Sequence, residues 1–432
     1  MKRSVGQLNF SWQGSGLRPG PGARFESELK RFQEFGEVSK LLKTTFSLPE
    51  VSKEELAVPV YVNEFWTARQ RQANPLHEIS YRACFKPQLP RFFIERLTKK
   101  RDIVYDPFMG RGTTLLEAGL LGRVPYGCDV SPLSASLVEP RLDIPALSDV
   151  ATRLEELNLQ TERVLPGDLL TFFHEETLRE ICSLRNYFLE RESSGKIDGV
   201  DKWIRMVAIN RLTGHSPGFF SVYSLPPNQA VSVQSQQKIN EKRQQIPPKR
   251  DISELILRKS KRLLGKNADE IRAEVKEVGE QALLLSRLAH DTPEIPDDSV
   301  TLVVTSPPFL DVVDYATDNW LRCWFLGIDA KDVKVTVPRK LEQWEASMTH
   351  VFFELFRVLK PGGFVAFEVG EVRGGTIKLE SAVLRCGFRA GLEPGLVMIN
   401  DQAFTKTANC WGVDNNSKGT NTNRIVVFTK PE

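Results

Sequence analysis

Two short stretches of the chain combine residue types that could do chemistry. In the first, Asp106-Pro107-Phe108-Met109-Gly110-Arg111-Gly112-Thr113-Thr114, two glycines separate an acid from a run that reads as a helix start. Glycines let backbone approach a ligand closely, and a helix behind them offers its first amides. Asp129 closes the next apolar run, where an acid can accept hydrogen bonds from ribose hydroxyls. Glycines also make plain turns, and the spacing is not Gly-x-Gly-x-x-Gly, so a dinucleotide is not singled out. The second stretch is Thr305-Ser306-Pro307-Pro308-Phe309. Consecutive prolines stiffen the backbone and leave carbonyls with no amide of their own to pair. The Ser306 hydroxyl and the Pro307 carbonyl could both accept hydrogen bonds from an amino group, while Phe309 offers a face for stacking a planar base.

These stretches need elements to hold them. Asp102 to Tyr105 reads as a short buried strand before the glycine loop. Thr113 to Leu121 reads as a helix, and Val124 to Cys128 as a strand ending at Asp129. Strand, loop, helix, strand, acid is the order of an open parallel α/β sheet, in which ligands sit beyond the carboxyl ends of the strands. The pattern resumes with a strand at Ser299–Val304, a helix at Leu341–Val358, a strand at Phe364–Val369 and a last strand at Ile425–Thr429. Between them, from about Pro140 to Leu288, the sequence is mostly helical, far too long for a plain loop. The chain thus divides into a partly flexible N-terminal extension (1–60), a first part of the sheet domain (61–140), a helical inserted subdomain (141–288) and a second part of the sheet domain (289–432). Within the extension, Phe25, Leu29, Phe32 and Phe35 predict a helix over Arg24–Lys43.

Taken together, the two motifs resemble the cofactor and catalytic motifs of DNA amino-methyltransferases, which act on cytosine-N4 or adenine-N6. Ala83-Cys84-Phe85-Lys86-Pro87 is similar to the family segment that packs against the methionine end of the cofactor, and Asp291 resembles the acid near the cofactor adenine. Arg357-Val358-Leu359-Lys360-Pro361-Gly362-Gly363 is similar to the turn before the fifth strand of many such enzymes. The resemblance covers about 77–140 and 288–432. It implies a Rossmann-like methyltransferase sheet with S-adenosylmethionine as cofactor, held by Lys86, Pro87, Asp106, Pro107, Phe108, Gly110, Gly112, Thr113, Asp129, Asp291 and Thr305. It implies Ser306, Pro307, Pro308 and Phe309 as the catalytic set. In the family, serine before Pro-Pro tends to accompany cytosine-N4, so Ser306 favours cytosine. Carbon-5 methylation needs a cysteine after proline, and none of the six cysteines follows one. The implied partner is duplex DNA with a flipped target base, with a restriction endonuclease as a possible companion.

Other readings stay open at this point. Adenine-N6 or an RNA base could be the target. A non-catalytic cofactor-binding subunit would not need both motifs intact. A nicotinamide enzyme on a similar sheet would want the missing glycine pattern and has no use for Ser-Pro-Pro-Phe.

The bulk composition excludes some classes. A net charge of +3 over 432 residues is not that of a histone-like polycation, although a local basic face would suffice for nucleic acid. Such a face lies between Gln234 and Arg272, where eleven Lys or Arg outnumber five acids, a local excess of about six. Helical spacing of Ile252, Leu255, Ile256, Leu263 and Leu264 turns Arg258, Lys261 and Arg262 outward, which suits a phosphate-tracking arm as well as a solvated face. The aromatic loop Phe219–Tyr223 is expected at its rim. Arg424 is a further candidate for nucleic-acid contact, and the polar loop Cys410–Arg424 for the rim of the site.

Single cysteines and isolated histidines (His77, His174, His215, His290 and His350) predict no metal site, and Trp320 and Trp324, four apart, read as core. No signal peptide and no transmembrane run is evident. The expectation is a soluble, cytoplasmic, prokaryotic protein, associated with the nucleoid when on DNA.

Overall fold

Val104 and Tyr105 are neighbours in sequence and both fully buried, yet they belong to different apolar cores. A period of two with both sides buried is the signature of a strand covered on both faces. The computed structural model describes residues 16–17, 20–49, 55–67, 73–81, 84–226, 229–265, 268–308, 315–333, 338, 340–370, 379–401 and 422–432. Within them the strands are β1 (Lys40–Phe46), β2 (Leu56–Asn63), β3 (Ile103–Asp106), β4 (Val124–Asp129), β5 (Leu283–Ser286), β6 (Val300–Thr305), β7 (Leu359–Val369), β8 (Glu393–Asp401) and β9 (Thr422–Thr429). The first helices are α1 (Pro21–Arg31), α2 (Gln88–Leu97), α3 (Thr113–Leu120) and α4 (Pro132–Leu142). Then come α5 (Leu147–Glu156), α6 (Glu175–Ser193), α7 (Gly199–Ile209), α8 (Val233–Arg243), α9 (Ile252–Leu264) and α10 (Ala268–Gly279). The last are α11 (Tyr315–Phe325), α12 (Leu341–Val358) and α13 (Leu379–Arg389).

All nine strands form one sheet in the order β1-β2-β8-β9-β7-β6-β3-β4-β5. From β5 to β7 the neighbours are parallel, and β9 runs antiparallel between β7 and β8. From β3 the chain winds outward through β4 to β5, then returns to β6 on the other side of β3. The strand order therefore reverses between β3 and β6, the place where open sheets leave a crevice for a ligand. On one face, Phe25 of α1 and Phe93 of α2 pack over Val104 and Val304. On the other, Trp344 and Phe352 of α12 cover Tyr105 and Phe367.

The expected central strands and the helix Leu341–Val358 are present. The N-terminal helix is shorter than its apolar spacing suggests, ending at Arg31. The residues from Lys40 instead form β1, which pairs along its length with β2, and β2 joins β8. Sheet pairing here overrides a helical pattern in a run that also contains Thr44, Thr45 and Phe46, residues at home in strands. Within the 141–288 segment, β5 belongs to the sheet edge. Its four residues are too few to show a period. The other helices of this segment share a continuous apolar core with α3 and α4, through Leu115, Leu137, Trp203 and Ile256. Among the described residues, no helix is long and apolar enough to cross a membrane.

Candidate active site

The glycine loop is organised around two carboxylates. Asp106 ends β3, and its Oδ1 accepts from the Phe108 amide at 3.0 Å and from the Thr305 hydroxyl at 2.6 Å. Burial pushes its carboxyl up to about 7, against the pull of those hydrogen bonds. Asp129 ends β4 and holds the loop from the other side. Its two oxygens accept from the Gly110 and Ser131 amides, each at 2.9 Å. Burial raises this carboxyl too. Gly112 caps α3 with a φ of +74°, and a Cβ there would stand 2.3 Å from Val138 of α4. Its role is to let two helices meet.

Beyond these strand ends lies a cleft of about 260 Å³. Asp106, Pro107, Phe108, Gly110, Thr113 and Asp129 line it, together with Ser306 and Pro308. Val130, Leu288, Met348 and Val351 give it apolar walls. Gly112 and Thr305 stand behind this lining, the former in the helix contact and the latter in the bond to Asp106.

Ser306 leaves the end of β6 and meets an acid that its own motif does not announce. Its hydroxyl lies close enough to Glu368 on β7 to draw that carboxyl's pKa down, and Glu368 also accepts from Asn423 Nδ2 at 3.0 Å. Glu368 is only 5% exposed, and burial raises its carboxyl while Ser306 and Asn423 oppose the rise. The Pro308 carbonyl accepts from the buried indole of Trp344 at 3.0 Å. Neither Glu368 nor Trp344 stands out by motif. An acid inside the apolar run Phe364-Val-Ala-Phe-Glu-Val369 was the available signal, since a buried charge needs a reason.

The rim of the cleft is held by arginines that bind backbone. Arg111 donates to the carbonyls of His77 at 3.3 Å and Ile79 at 2.9 Å, Arg141 to that of Leu76 at 3.3 Å, and Arg322 to that of Ser80 at 3.0 Å. All three arginines are buried. They fix the segment that brings Tyr81, Cys84 and Phe85 to the lining. Lys86 and Pro87 follow without lining the cleft. The Lys86 amine is partly buried, which draws its pKa down, and the Pro87 carbonyl accepts from the Arg91 amide at the start of α2. Asp291 is exposed and pairs with Arg287 at 3.6 Å, while Arg287, Leu288, Ala289 and His290 reach the cleft. Ala83, Phe309 and Cys410–Asn421 lie outside the described residues.

The proposed nucleic-acid residues fall in two places. Arg258, Lys261 and Arg262 are exposed on α9, with Arg258 3.4 Å from Glu254 and Arg262 2.6 Å from Glu78. Arg424 on β9 pairs with the buried Glu380 of α13 at 2.8 Å. In the aromatic loop Phe220 is fully buried, and the Tyr223 ring lies under Arg243. Trp320 and Trp324 pack against the core of the helical segment.

Residues 36–138 match the family model described as DNA methylase. They include β3, the glycine loop, Asp129 and most of α4. Over this segment the chain resembles the DNA amino-methyltransferases. Type II methyltransferase M.BsoBI of Geobacillus stearothermophilus is 24% identical over 295 residues, covering 63% of this chain and 55% of that protein. M.MjaII of Methanocaldococcus jannaschii is 35% identical over 97 residues, 22% of this chain and 18% of the relative. M.MvaI of Kocuria varians is 35% identical over 89 residues, 18% of this chain and 20% of the relative. The chain thus spans about half the length of the first of these relatives and about a fifth of the others. The cofactor of amino-methyltransferases is S-adenosylmethionine. The cleft offers a donor set that suits it: carboxylates at Asp106 and Asp129 for an ammonium and for hydroxyls, and apolar walls at Val130 and Leu288 for a purine.

Proposed function

We propose that the protein methylates the exocyclic amine of a nucleic-acid base, with cytosine-N4 in duplex DNA as the target. One observation carries this reading: Ser306 lines the cleft with the buried carboxyl of Glu368 beside it. A hydroxyl has one proton and two lone pairs. With its proton turned toward Glu368, the oxygen would face an incoming amine as an acceptor.

The cytosine amine is a poor nucleophile because its lone pair is conjugated into the ring. Hydrogen bonds from its protons to the Ser306 hydroxyl and the Pro307 carbonyl would localise that pair on nitrogen. The cofactor would supply a methyl group already activated by a positive sulfur. Asp129 would hold the ribose hydroxyls and Asp106 the ammonium, so the chain's main task is alignment of methyl and amine. As the N–C bond forms and the S–C bond breaks, the amine must lose a proton. Ser306 can take it while passing its own proton to Glu368, whose burial favours the neutral acid. A base paired in a duplex must leave the stack to reach the cleft. Serine before Pro307-Pro308 supports cytosine over adenine.

The test is incubation with labelled S-adenosylmethionine and, separately, duplex DNA and RNA, followed by mass spectrometry of the nucleosides. N4-methylcytosine from DNA is the expected product. N6-methyladenine, or label in RNA alone, would overturn the base or substrate assignment. Absence of both cofactor binding and product would overturn the enzyme class.

A further inference from the structure

Next to the cleft, two cations of the helical segment share one carboxylate and a third lies within their electrostatic reach. Lys259 lies on the inner face of α9, 9% exposed, with Nζ 3.3 Å from Glu78 Oε2. Arg262, three residues on and 70% exposed, has Nε 2.6 Å from the same oxygen. Arg211, just past the end of α7, stacks its guanidinium on the Phe219 ring at 4.0 Å and feels both Arg262 and Glu78. Burial draws the Lys259 amine down to about 8 and the Arg211 guanidinium down to about 10, with neighbouring cations adding to the effect. Crowding cations where water is scarce costs free energy unless an anion balances them.

Two links tie this cluster to the cleft. Glu78 stands three residues before Tyr81, which lines it. Arg322, which acts electrostatically on Arg211, lies on α11 between the lining residues Asn319 and Cys323.

We infer that Arg211, Lys259 and Arg262 form a seat for one backbone phosphate of the nucleic acid, with Glu78 occupying part of it until the strand arrives. The inference rests on the methyltransferase reading above and assigns the site that would hold the strand beside the target base. Glu78 shows that the site accepts an oxyanion, because one of its oxygens already takes both Lys259 and Arg262. A phosphodiester presents the same kind of oxygens and accompanies every nucleotide. Arginine held flat on an aromatic ring is well suited to such a contact. A merely solvated basic face would have no reason to bury Lys259.

The test uses the full chain, a short fluorescent duplex and a series of salt concentrations, with S-adenosylmethionine affinity measured alongside. Arg262→Ala should lower the slope of log affinity against log salt by about 0.9, and weaken binding to all sequences alike. Glu78→Gln should tighten duplex binding several-fold, because the competing carboxylate is gone; a purely structural ion pair would not give this gain. Cofactor affinity should hold in both variants. If both keep the parent's affinity and salt slope while the parent methylates DNA, the phosphate seat is overturned and the function stands. A parent that neither binds nor methylates duplex DNA overturns both.

Discussion

Thr305 donates its hydroxyl to Asp106 at 2.6 Å across the β3–β6 boundary, so the acid of the glycine loop and the strand end that carries Ser306 share a hydrogen bond. Burial raises the Asp106 carboxyl to about 7, and the Thr305 bond restrains that rise. A cationic ligand beside Asp106 favours its ionised form, so below about pH 7 binding must expel a proton. S-adenosylmethionine affinity should therefore climb as pH rises to about 7 and then level. Thr305→Val removes a bond to the charged form, so the midpoint should move to higher pH. Asp106→Asn should flatten the profile. Calorimetry across this range decides it, and an unmoved midpoint in Thr305→Val would remove Thr305 from the account.

Asp129 is expected to grip ribose hydroxyls with the lone pairs that the Gly110 and Ser131 amides leave over. Asp129→Ala deletes a charge-assisted hydrogen bond worth roughly 1.5–3 kcal/mol, which is at least about a tenfold loss of cofactor affinity. The same change frees the Gly110 amide, so Asp129→Asn, which can still accept from it, serves as the control for loop order. Unchanged affinity in the alanine variant would place the ribose elsewhere.

Ser306 and Glu368 should act on turnover rather than on cofactor binding. Ser306→Ala removes the acceptor and the path for the proton, and a loss in kcat on the order of 10² is expected. Glu368→Gln keeps the shape but cannot receive a proton as a carboxylate does. Its kcat should fall with S-adenosylmethionine affinity held, and its pH–rate profile should lose the limb that the parent shows. A profile identical to the parent's would make Glu368 a packing residue.

The motifs at 106–114 and 305–309 were legible because they depend on local chain chemistry: glycines where φ is positive, prolines at a strand end, an acid closing the next strand. The central parallel strands were legible from apolar runs of adequate length. Glu368 and Trp344 were not singled out, because their meaning arises only when β6, β7 and α12 come together. Strand β1 was hidden by a helix-like spacing of phenylalanines that continues past the true end of α1 at Arg31. For Asp291 the family resemblance points at a residue that pairs with Arg287 on the surface, while its neighbours Leu288 to His290 reach the cleft.

Gly112 should be intolerant of any side chain. Its φ of +74° disfavours L-residues, and a Cβ would press on Val138 at 2.3 Å. Overpacking of this kind typically costs about 1–3 kcal/mol. Gly112→Ala should lower the denaturation midpoint by a corresponding amount. Adding Val138→Ala should recover the steric share and leave the backbone share. If the single variant unfolds at the parent's midpoint, α3 and α4 are free to move apart, and the glycine is needed for ligand approach instead.

Trp344 offers a separate way to test the proline loop without touching the cleft's polar groups. Its indole, fully buried in α12, donates to the Pro308 carbonyl at 3.0 Å and so fixes the end of the Ser306-Pro307-Pro308 stretch. Trp344→Phe keeps an aromatic ring but removes the donor. A buried carbonyl left unpaired costs about 1–3 kcal/mol, and the loop can recover part of this by turning the carbonyl toward water. Such a turn would swing Pro307 and Ser306 away from the amine. The effect should therefore appear as a reduced kcat, with S-adenosylmethionine affinity nearly unchanged, because Asp106 and Asp129 are anchored on β3 and β4. A stability loss with kcat intact would mean that the loop holds its shape through the two prolines alone.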